Sequence, residues 1–188
     1  MNNGGDNVLT AIIGVVGTLL GVILGWCLNV LSNKGKLIVY LSSWTESFQC
    51  FDNCAFRKNS TSQSETELLC YDCSLDVFNS SSYTKIMRNI KIVFCNGRRE
   101  ILCDIPQDQT TRKAGASNTV MPQNIPPHTV VNLKLSSTLS IKDNNLFEIF
   151  NTDSIYFEYC NEKNQKRRVP LKKVDYGNYF ENQTDLSE

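Results

Sequence analysis

The residues able to do chemistry are few and scattered. His128 is the one histidine; it follows Pro127, with no serine or cysteine nucleophile spaced to use it as a base. No GxSxG, Walker, HExxH or GxGxxG pattern occurs. Asp72 and Asp76 alternate with apolar residues, which places them on the solvent side of a strand rather than in an acid–base pair. The reading is therefore a protein that is not an enzyme and carries no cofactor. Of eight cysteines, Cys50-x3-Cys54 and Cys70-x2-Cys73 have the composition of a four-thiolate zinc site. Two features argue against one. Within a strand, residues three apart point to opposite faces, and no Gly or Pro turn lies inside either pair. Cys95 sits just before Asn96-Gly97, and Cys103 and Cys160 read as small apolar strand residues.

Basic side chains gather at Arg98-Arg99, Arg112-Lys113, Lys166-Arg167-Arg168 and Lys172-Lys173. Loops at one end of a sheet could pool the first three groups to hold a phosphorylated or nucleotide ligand. The simpler reading is solvated hairpin ends. Duplex nucleic acid is not an expected partner. Past Asn33 the chain holds 19 basic residues and 18 acids, too balanced for a field that attracts a polyanion.

The element ahead of these residues is a membrane segment. Residues 7–33 carry no charge, and Val8 to Leu31 are almost wholly apolar. As a helix this stretch is roughly 36 Å long, enough to cross a hydrocarbon core of about 30 Å. The preceding MNNGGDN lacks the basic residues of a signal peptide, so the segment is expected to stay as an anchor. Lys34 and Lys36 follow it and Asp6 precedes it, which puts the C-terminal part in the cytosol and the first seven residues across a bacterial cell membrane. At 100° per residue, Thr10, Gly14, Gly17, Thr18, Gly21, Gly25 and Asn29 share an arc of about 120°. Such a small-residue ridge lets two helices approach closely, so the expected partners are the membrane and further copies of this chain.

After Gly35 the chain reads as strands. Leu37–Trp44 opens the domain, and Leu69, Tyr71, Cys73, Leu75 and Val77 alternate along one face. Arg88–Ile105 is a hairpin about Asn96-Gly97, expected as a type I′ turn. His128–Ser136 alternates again, and a last hairpin turns at NEKNQK. The fold class expected is one transmembrane α-helix plus an all-β cytosolic domain, an immunoglobulin-like or fibronectin-like sandwich of about seven strands. The divisions are residues 1–7 outside, 8–31 in the membrane, 37–174 as the sandwich and 175–188 as a polar tail. Residues 53–65 and 108–118 read as loops. Asn59, Asn79 and Asn182 are glycosylation sequons, usable only if the domain lay outside, where three disulfides would also be open to it.

The opening LTAIIGVVGTLLGVILGWCLNVLSNKGKLIVYLSSW, with LDVFNSSSYTKIMRNIKIVF and NIPPHTVVNL, resembles a group of short single-pass membrane proteins of Bacillota, mostly uncharacterised. The architecture is also similar to antiphage-defence membrane effectors of the Hailong type. That resemblance implies an oligomeric ion channel or membrane-disrupting protein whose β domain answers a nucleotide or oligonucleotide signal. It gives the glycine ridge a part in pore assembly and the basic loops a part in signal binding. The alternative is a passive anchor whose β domain recruits a cytosolic partner.

Overall fold

Alternation of apolar and polar residues after Gly35 produces strands because every second side chain can then leave water. The computed structural model describes residues 4–32, 35–110, 118–142 and 146–181, with helix side chains over 11–31. Helix α1 is Gly4–Ser32. Strands follow as β1 Leu37–Phe51, β2 Arg57–Asn59, β3 Leu68–Asn79, β4 Lys85–Asn96, β5 Arg99–Asp104, β6 Gln107–Asp108, β7 Gln123–Ile125, β8 Val130–Ser140, β9 Ser154–Cys160 and β10 Lys166–Lys173. One sheet has the order β2-β1-β3-β8-β6 and the other β10-β9-β4-β5, with β7 pairing the start of β4. All pairings are antiparallel.

The seven long strands are the ones the sequence marks; β2, β6 and β7 are short additions of two or three residues. β2 (Arg-Lys-Asn) lies inside the expected 53–65 loop and has no apolar alternation to announce it. The main hairpin corrects the expected turn by one residue. Asn96 pairs Arg99, so Gly97-Arg98 forms the loop, and Gly97 alone has a positive φ, 57°. Glycine first in a two-residue loop is the type II′ arrangement rather than type I′. At NEKNQK the Asn161 amide donates to the Gln165 carbonyl (3.0 Å), and Asn164 takes the left-handed conformation. A three-residue loop ending in that conformation is the next commonest hairpin turn.

Between the sheets, Leu69, Tyr71, Cys73, Leu75 and Val77 of β3 face Ile90, Ile92 and Phe94 of β4 and Ile155 and Phe157 of β9 in one core. Trp44 stacks on Tyr71 (5.1 Å between centroids). Phe48 is surrounded by Phe150, Tyr176, Tyr179 and Phe180, with ring centroids 4.7–5.8 Å away. Tyr176, Tyr179 and Phe180 are thus packed against the core, and Tyr176 is fully buried. Glu46 of β1 holds it there. The carboxylate accepts from Trp44 Nε1 (2.5 Å), Lys172 Nζ (3.1 Å) and the Tyr176 hydroxyl. Burial, then the Glu46 charge, pushes the Tyr176 phenol far up, so it remains a donor.

Candidate functional site

Two features stand out: the helix ridge and the junction that joins it to the sandwich. Ala11–Leu31 is a continuous apolar stretch with mean hydropathy 2.4, none of it buried, long enough to cross a membrane. Gly14, Gly17, Gly21 and Gly25 have no atom within 4 Å of where a Cβ would stand, beyond their own helix. The ridge is therefore open for a second helix. Thr18 Oγ1 donates to the Gly14 carbonyl (2.8 Å), so its hydroxyl is already satisfied by its own helix. Asn29 lies on the same helix; the side chain of Thr10 is outside the described residues.

Three residues past Ser32, at Gly35, the chain is caught by the sandwich. Gly35 lies against the backbone of Ser80 and Ser81, and a Cβ there would meet Ser80 C and O and Ser81 Cα at 2.4 Å. Only glycine permits this approach. The Lys36 amide donates to Ser80 Oγ (2.9 Å), which donates back to the Lys36 carbonyl (2.9 Å), while the Ser80 amide reaches the same carbonyl (3.1 Å). Next to them, Asn79 is fully buried. Its side-chain amide donates to the carbonyls of Tyr83 (2.8 Å), Ile125 (2.9 Å) and Pro126 (3.1 Å). Its Oδ1 accepts from the Ser81 amide (3.0 Å) and hydroxyl (2.6 Å). Asn79 is a structural node tying the β3–β4 turn to β7. The Asn79 sequon is therefore buried and fully bonded in the folded domain. Asn59 is exposed, and Asn182 lies outside the described residues.

The basic groups are placed separately. Arg98 is exposed in the β4–β5 turn, and Arg99 pairs with Glu148 (2.8 Å). On the outer face of the second sheet, Lys166 (2.9 Å) and Arg168 (2.6 Å) grip Glu158, whose side chain is 3% exposed, and Arg168 also reaches Glu100 (2.7 Å). Burial alone would raise the Glu158 pKa, but hydrogen bonds and charge from Lys166 and Arg168 outweigh it and hold it below the usual glutamate value. Arg167 and Arg168 line a cavity of about 350 Å³ with Lys36 and Lys85, which contains neither Arg98 nor Arg99. Arg112 and Lys113 lie outside the described residues.

All eight cysteines are free thiols. Cys73 points into the core and its pKa is pushed up to about 12 by burial, then by Asp72. Cys70 faces outward, touching Gln49 Oε1 (3.4 Å) and Thr138 Oγ1 (3.6 Å). Cys50 is buried and Cys54 exposed in a turn. The four therefore do not converge, and no group of three or more metal-ligating side chains occurs among the described residues. Sequence reading missed the Asn79 node and the Gly35 clamp; the SNKGK and FNSSS stretches hold their residues, but nothing local says that they touch.

One apolar helix followed by two packed antiparallel sheets defines a helix-bearing immunoglobulin-like protein. The chain belongs to the family described as the YopI Ig-like domain, whose model matches residues 35–172. No curated protein matches it. Solved structures that align with the chain include a Bordetella pertussis protein described as an ApaA protein, at 12% identity and TM-score 0.33, covering 74% of this chain and 91% of that one. A protein from Archaeoglobus fulgidus aligns at 10% identity and TM-score 0.39, covering 71% and 94%.

Proposed function

We propose that this protein is an oligomeric membrane effector: helices assembled through the glycine ridge, with the Ig-like domain acting on that assembly through a short junction. The observation that carries the reading is the clamp at Gly35 and Lys36. Residues 33 and 34 alone separate helix α1 from backbone held against Ser80 and Ser81. A module that only recruited a partner would work as well on a long tether, whereas a link of two residues keeps the domain beside the end of its helix. The open glycine ridge supplies the helix contact.

In this reading the helix remains as an anchor in the bacterial cell membrane, with the domain in the cytosol. Lys34 and Lys36 beside the helix and eight free thiols support that side. The effector opens an ion path or disturbs the bilayer in answer to a nucleotide-like signal; the signal class comes from the architectural resemblance to antiphage effectors. No enzymatic step is assigned to the domain. The passive recruiting module is the rival reading.

Ion leakage in bacteria expressing the full chain tests the proposal. Leakage is expected from the wild type, and Gly21→Leu, which blocks close helix approach, should cut it by about tenfold or more. Leakage and toxicity unchanged in Gly21→Leu would remove the assembled-effector reading and leave the recruiting module.

A further inference from the structure

The end of the sandwich that receives the helix is built differently from the opposite end. β1, β8 and β10 begin there, β3 and β9 end there, and the cavity of about 350 Å³ opens between the starts of β1 and β10. Its wall carries Lys36, Lys85, Arg167 and Arg168 against one acid, Glu162, with Tyr159 and Val169 as apolar surface. Two of these charges are already matched. Lys85 Nζ is fixed by Glu162 (3.1 Å) and the Tyr83 hydroxyl (2.6 Å), and Arg168 by Glu158 and Glu100. Lys36 and Arg167 have no carboxylate within ion-pair distance among the described residues, and both are exposed. The Arg167 guanidinium donates one of its five N–H groups to the neutral Gln165 Oε1 (3.1 Å) and lines the cavity.

Position decides what fills such a cavity. Lys36 is four residues beyond Ser32, so its Cα lies at most about 14 Å from the helix end. Once the helix spans a bilayer, this end of the domain is held at the headgroup layer, which extends several ångströms past the hydrocarbon. The apolar side chains exposed at this end are those an interface favours: Tyr83 is 41% exposed and Val130 60%. Lys and Arg beside a membrane surface are drawn to anionic lipid.

We propose that the cavity holds the phosphate of an anionic phospholipid headgroup, with Lys36 and Arg167 as its contacts, and that this seats the domain on the membrane. The proposal rests on the helix spanning the bilayer, not on channel activity. Because Lys36 also carries the backbone clamp to Ser80, lipid binding and the junction share one residue.

The test uses the full chain in phosphatidylcholine nanodiscs containing about 20% phosphatidylglycerol, with retained lipid read by native mass spectrometry. Phosphatidylglycerol should be retained over phosphatidylcholine, and the Lys36→Glu/Arg167→Glu double variant should lose that preference by about tenfold. Lys58→Glu, an exposed charge reversal on β2, should keep it. Equal retention of the two lipids, or an equal loss in Lys58→Glu, overturns the proposal. So does a wild-type chain whose cavity amides are protected from hydrogen exchange as strongly by soluble glycerol phosphate as by the lipid, because the site would then be one for a free phosphate. Unfolding of the double variant, checked by circular dichroism, is met by the milder Arg167→Gln, for which a smaller loss in the same direction is expected and an unchanged preference counts against the proposal.

Discussion

Asn79 and Glu158 show how single polar residues organise this domain. Asn79, at the end of β3, satisfies five groups in the β3–β4 turn and at the end of β7. Asn79→Ala removes all five bonds at a fully buried position, and should lower stability by about 3 kcal/mol or more, read by chemical denaturation of the full chain in detergent. A loss below about 1 kcal/mol would mean water replaces the amide. Glu158 makes a pH prediction. Its folded pKa lies below the usual 4.5, so its contribution is complete at neutral pH and is lost as pH falls below about 4.5 through the folded value. Glu158→Gln should cost about 1–3 kcal/mol near pH 7 and show a shallower acid-side decline than the wild type. Parallel wild-type and variant curves would place the acid sensitivity elsewhere.

At the scale of elements, the junction and the strands are legible to different degrees. The seven long strands follow from period-two alternation, because burying one face of a sheet imposes that period. Short β2, β6 and β7 bury too little to leave a pattern. β4 hides an irregularity as well: Asn89 has a positive φ where the β9 register shifts between Arg88 and Lys91, a bulge no apolar count reveals. The helix and its glycine stripe are read directly from residue spacing. The basic cavity is not, since Lys36, Lys85 and Arg167 come from distant segments that only the sandwich topology brings together. Gly35 is where element and function meet. Gly35→Ala forces backbone against backbone and should cost about 1–3 kcal/mol, with faster hydrogen exchange at the Lys36 and Ser80 amides than in the wild type. Unchanged exchange there would show that the clamp tolerates a methyl group and does not set the junction.

For the whole molecule, a single helix per chain cannot enclose a path through a bilayer, so the effector reading stands on assembly. β10, at one edge of its sheet, reads Lys-Arg-Arg-Val-Pro-Leu-Lys-Lys, and its charges and proline discourage strand pairing with a neighbour. In the proposed reading assembly runs through the membrane segment, where four glycines have no atom beyond their own helix within 4 Å of a Cβ position. The most direct measurement is a subunit count: stepwise photobleaching of the fluorescently tagged full chain in supported bilayers at low density. Wild-type spots should bleach in several steps with one narrow distribution, and Gly21→Leu should bleach predominantly in one. Single-step bleaching of the wild type, or an unchanged count in Gly21→Leu, would contradict the account.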